Sequence, residues 1–83
     1  MSVQNAKNLI KKVQTDAAFR KEMYLVKGVE GFNQFIAEKD LAFDENEFED
    51  AYNMMVLQCQ LEKDHDELEN VVNLIKLIVA DNR

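Results

Sequence analysis

Three short stretches of this 83-residue chain hold the residue types from which protein chemistry is usually made. "DHD" at 64–66 sets the single histidine between two carboxylates, which are donors a zinc site would use. "DENEFED" at 44–50 has the acidic density of a calcium loop. Cys59 and His65 are the types of a nucleophile and its base. Each fails on spacing. Adjacent residues on one turn point apart, and no second histidine exists to complete a metal site. The acidic run lacks the loop glycine and puts Phe48 where an oxygen ligand is needed. Cys59 falls on an apolar stripe, where a thiol behaves as a small inert hydrophobe. Gly28 and Gly31 match no nucleotide fingerprint. No catalytic residue, cofactor site or metal site is predicted, and no enzyme.

What remains is charge and apolar surface. Lys7, Lys11 and Lys12 lie off the apolar stripe of the first segment, as a patch for acidic partners or simply a solvated face. Residues 1–39 carry seven Lys and Arg against four Asp and Glu, and residues 40–83 three against twelve, so the halves are +3 and −9. The acidic half makes phosphate approach costly, which argues against nucleic acid as a partner and allows steering of basic ones.

The elements that must position these groups read as five short helices. Ser2 caps a first helix whose stripe is Val3, Ala6, Ile10 and Val13, widened by Leu9. Asp16 caps a second with Phe19, Met23 and Val26, closed by Gly28 in the left-handed conformation. A third places Val29, Phe32 and Ile36 together with Phe35 beside them, and "LAF" at 41–43 plugs the core. Asp44 and Glu47 form a capping box before a helix over 48–62 with the stripe Phe48, Ala51, Tyr52, Met55 and Cys59. Asp64 or Asp66 caps the last, which carries Leu68, Val71, Val72, Ile75, Ile78 and Val79.

Composition agrees with this reading. The chain has 47% hydrophobic residues, no proline and two glycines, which fits an all-α compact bundle ending in a helical hairpin. One domain over 1–83 is expected. A lone cysteine and no secretory signal point to the cytoplasm, and the short apolar runs exclude a membrane span.

The opening "SV..A..LIKKVQTD..FRKEM" and the later "FNQFIAEKDLAFDENEFEDA" together resemble the Nif-eleven family, nitrogen-fixation-associated domains that serve as leader peptides of ribosomally made, modified peptides. The shared positions are Ser2-Val3, Ala6, Leu9-Ile10, Val13, Asp16, Phe19-Arg20 and Met23, then Phe43, Asp44, Glu47 and Phe48. They cover residues 2–52. The resemblance implies a helical module read by a peptide-modifying enzyme or another protein of the same gene cluster, with no catalytic residues. Leaders of the family usually end in a double-glycine-type site and a Cys/Ser/Thr-rich core peptide. Residues 53–83 instead carry no glycine, one cysteine and a helical extension, which implies a stand-alone member acting as an adaptor.

The other reading is a small protein that self-associates, as a homodimer. Met54, Leu57 and Leu61 form a second stripe roughly opposite the first, and Leu74 and Leu77 lie off the main stripe of the last helix. Either the fourth helix is sandwiched between the N-terminal bundle and the fifth, or Leu57, Leu61, Leu74 and Leu77 form a patch that joins chains or docks a partner helix.

Overall fold

The structure, a computed structural model, describes residues 2–59 and 61–80. Met1, Gln60 and residues 81–83, which the expected domain includes, lie outside the described residues. Five helices follow in order: α1 (Val3–Thr15), α2 (Ala17–Tyr24), α3 (Gly28–Glu38), α4 (Glu45–Gln58) and α5 (Glu62–Ala80). Among the described residues there is no strand, and the protein is an all-α bundle.

Most of the helix starts follow from short polar side chains. The Ser2 hydroxyl accepts from the Asn5 amide at 3.0 Å, and the Asp16 carboxylate accepts from the Phe19 amide at 3.1 Å. Asp16 also ends α1, so one residue breaks one helix and opens the next. The capping box at α4 is complete: the Glu47 amide donates to Asp44 at 2.7 Å, and the Asp44 amide donates to Glu47 at 2.9 Å. Arg20 supplies a cap of another kind. Its guanidinium donates to the carbonyls of Val13 and Gln14 at 3.1 and 3.4 Å, satisfying oxygens that the end of α1 leaves without partners.

α1 lies at the centre, against α2, α4 and α5, while α5 also packs on α3 and touches α4. Ala6, Leu9, Ile10 and Val13 of α1 are buried together with Leu68, Val71, Val72, Ile75 and Ile78 of α5. Burying each large aliphatic side chain contributes about 1.5–3 kcal/mol, so this pair of stripes supplies a large share of the stability. Aromatic contacts tie in the remaining pieces. Phe19 of α2 meets Phe35 of α3 at 5.3 Å, and Phe43 of the connector lies between Phe32 and Phe48, at 6.0 and 5.7 Å. Phe43 is buried as a core plug, and the Ala42 carbonyl accepts from Asn5 of α1 at 2.9 Å. Lys39 pairs with Glu22 at 2.7 Å, across the α2–α3 corner.

Three sequence expectations are corrected. Gly28 does have a positive φ of 75°, but it opens α3; Leu25 caps α2 in an ordinary right-handed conformation. The left-handed cap belongs to Asp40, with φ 59°. There the Leu41 and Asp40 amides return to the carbonyls of Ile36 and Ala37, the two bonds of a Schellman ending. α4 spans 45–58 rather than 48–62, so Leu61 lies in the turn before α5. α5 starts at Glu62, ahead of Asp64 and Asp66, because the amides of Asp64 and His65 already reach the Leu61 carbonyl. Those two carboxylates sit inside its opening turns, where negative charge complements the helix dipole.

Candidate protein-docking faces

The residues with catalytic types are occupied by structural contacts. The Cys59 thiol, at the cap of α4, donates to the Met55 carbonyl of that helix at 3.3 Å and packs half-buried beside the core. The His65 ring faces Glu69, one turn along α5, at 3.8 Å. Glu69 in turn accepts from the Tyr52 hydroxyl of α4. That hydrogen bond, with partial burial and the nearby negative charge behind it, raises the Tyr52 pKa above its ordinary value. Among the described residues no three His, Cys, Asp or Glu side chains converge where a metal could bind.

The three lysines of α1 separate on folding. Lys11 and Lys12 are exposed and Lys7 is half-buried. Lys7 and Lys11 are four residues apart and share one side of the helix, whereas Lys12 is turned about 100° from Lys11. Its ammonium lies 5.4 Å from the Phe19 ring centre, so Lys12 is partly committed to holding α2. Among the described residues none of the three enters an ion pair.

The four leucines also divide. Leu57, Leu61 and Leu77 are 86%, 64% and 71% exposed, while Leu74 is half-buried and packs against the core. Leu61 and Leu77 stand at opposite ends of α5, about 24 Å apart along its axis. The outer side of α4, with Met54 and Leu57, is not covered by α5, because α5 turns its broad apolar face to α1 and α3 instead.

A further surface was not anticipated from the sequence. An apolar groove of about 880 Å³ opens between α3 and α4, with α5 along its floor and Phe43 among its lining residues. Val29, read as core, is 52% exposed at its edge. The periodic signal that marks core stripes also marks the walls of a groove, so spacing alone gave no means of telling them apart.

Neither a curated protein nor a solved structure matches this chain. A family model does: the Nif11 domain matches residues 1–48, the span from the Ser2 cap through the Asp44–Glu47 box to Phe48. That span is more than half of the chain, and the chain belongs to the Nif11 domain family, whose domain is associated with the leader peptides of modified peptides.

Proposed function

We propose that this protein is a non-enzymatic recognition or adaptor module that docks, in the cytoplasm, on a peptide-processing enzyme or a related protein. The Nif11 match over residues 1–48 carries the reading. Within that span Ser2, Asp16 and Asp44 are committed as caps and the stripes of α1 to α3 as core, which leaves exposed side chains as the means of contact. Lys7 and Lys11 offer a basic side on α1 that enters no ion pair among the described residues. Residues 1–83 act as one domain, with the segment after residue 52 as a helical extension of the leader-like part.

Recovery of partners from native cytoplasm by the wild-type chain and by Lys7→Glu with Lys11→Glu tests the docking side. Lys12 is left in place because it packs on Phe19. The wild type is expected to recover a peptide-modifying enzyme that the double variant loses while keeping its helix content. Identical partners with both chains would remove the basic side from the reading. The second reading, self-association, is favoured by the exposure of Leu57, Leu61 and Leu77. Light scattering on the same preparation decides it: a dimer that Leu77→Lys converts to a folded monomer would replace the adaptor reading.

A further inference from the structure

The groove between α3 and α4 has the form of an empty helix position in a bundle. Its lining residues recur with the spacing i, i+3, i+4, i+7 in three helices at once, counted from Val29 in α3, from Glu45 in α4 and from Val72 in α5. Each wall is therefore a continuous helical face two turns long, about 11 Å. α3 and α4 scarcely touch one another; each packs on the other helices and faces its counterpart across the opening. Aromatic and aliphatic side chains, chiefly Phe48, Tyr52 and Val79, are only half-buried within it.

The charges at the edge are asymmetric. Asp44, Glu45 and Glu49 border the α4 side, Lys76 is the one cation among the described lining residues, and Val29 and Asn33 line the α3 edge without charge. Among the described residues none of Glu45, Glu49 and Lys76 enters an ion pair. The acidic edge also lies in the half of the sequence that carries −9.

We propose that this groove binds one amphipathic helix of a partner protein, seated with an apolar i, i+3/i+4, i+7 stripe downward and Lys or Arg side chains toward the α4 edge. The inference rests on the reading of this domain as one that another protein binds, and it places that contact away from the lysines of α1. Two turns of helix match the length of the walls. A neutral or acidic helix would bring its polar flank against the carboxylates of the α4 edge without an opposite charge to meet them, which is the basis for selection.

The test uses a synthetic helix of about four turns with a leucine stripe flanked by lysines, and a matched peptide with glutamates for the lysines. Binding is followed by calorimetry and by amide chemical shifts on the whole chain. The lysine peptide is expected to bind and to shift residues of α3, α4 and α5 that line the groove. Glu45→Lys with Glu49→Lys is expected to weaken it about fivefold or more, and Val29→Glu to weaken it further. All three positions are exposed, and Asp44 and Glu47 stay intact so that the cap survives. Leu57→Lys with Leu77→Lys is expected to leave binding unchanged.

Equal binding of both peptides, no binding up to about 1 mM, or shifts confined to the exposed leucines would overturn the proposal. So would groove shifts that depend on protein concentration without peptide, since a second copy would then be the occupant. A partner captured equally by wild type and groove variants would defeat the groove and leave the adaptor reading standing. Loss of every captured partner with peptide binding intact would do the reverse.

Discussion

Asp40 carries the one left-handed backbone among the described non-glycine residues. That conformation crowds a β-carbon against the carbonyl and costs about 1–2 kcal/mol for most residues, somewhat less for Asp and Asn. It persists because the Leu41 and Asp40 amides close the end of α3, and because the turn delivers Phe43 to its place between Phe32 and Phe48. Glycine meets the same geometry without the clash. Asp40→Gly is therefore expected to raise stability by up to about 1 kcal/mol, and Asp40→Val to lower it by about 1 kcal/mol or more. Urea midpoints at constant slope measure both; a destabilised glycine variant would mean that the carboxylate itself matters.

At the scale of elements, α4 is the least interior helix, with Ala51 its one fully buried residue, and its hold on α5 includes the Tyr52–Glu69 hydrogen bond. Tyr52 titrates above its ordinary value of about 10, so the sign of its pH effect is fixed. The hydroxyl donates only while protonated. Its contribution is fully present below pH 10 and is lost as pH rises through the raised value. Tyr52→Phe has no such group. The difference in urea midpoint between wild type and Tyr52→Phe should hold constant at neutral pH and shrink above pH 10. A gap that stays level through strongly alkaline pH would mean that the hydroxyl does not link the helices.

For the whole molecule, the matched family span and the folded core are not the same object. The Nif11 match ends at Phe48, in the first turns of α4, yet Leu68, Val71, Val72, Ile75 and Ile78 of α5 are buried against α1 and α3. Their burial is worth about 8–15 kcal/mol before entropy, as much as a domain of this size has in net stability. A chain ending at residue 60 is accordingly expected to lose its cooperative thermal transition by circular dichroism. A sharp two-state melt from that chain would show that a core closes without α5. The radius of gyration, 12.1 Å, agrees with about 12 Å for a single compact unit of this length.

Local chemistry was legible from the residues alone. Ser2, Asp16 and the Asp44–Glu47 pair cap helices whichever way those helices later pack, because each bond spans only three residues. The stripes of α1 and α5 were legible because a helix central to a small bundle must be apolar on one broad face. Distant pairing was hidden. Arg20 on the carbonyls of α1 depends on how α2 turns against α1, which spacing does not encode, and the left-handed turn fell on Asp40 where no glycine marks it. Val29, Phe48 and Tyr52 carry the helical spacing of core residues. Only the packing of α3 on α5 and of α4 on α1 left a gap between them, turning those faces from core into the walls of a groove. Periodicity shows that a face is apolar; tertiary structure decides whether a neighbour of the same chain covers it.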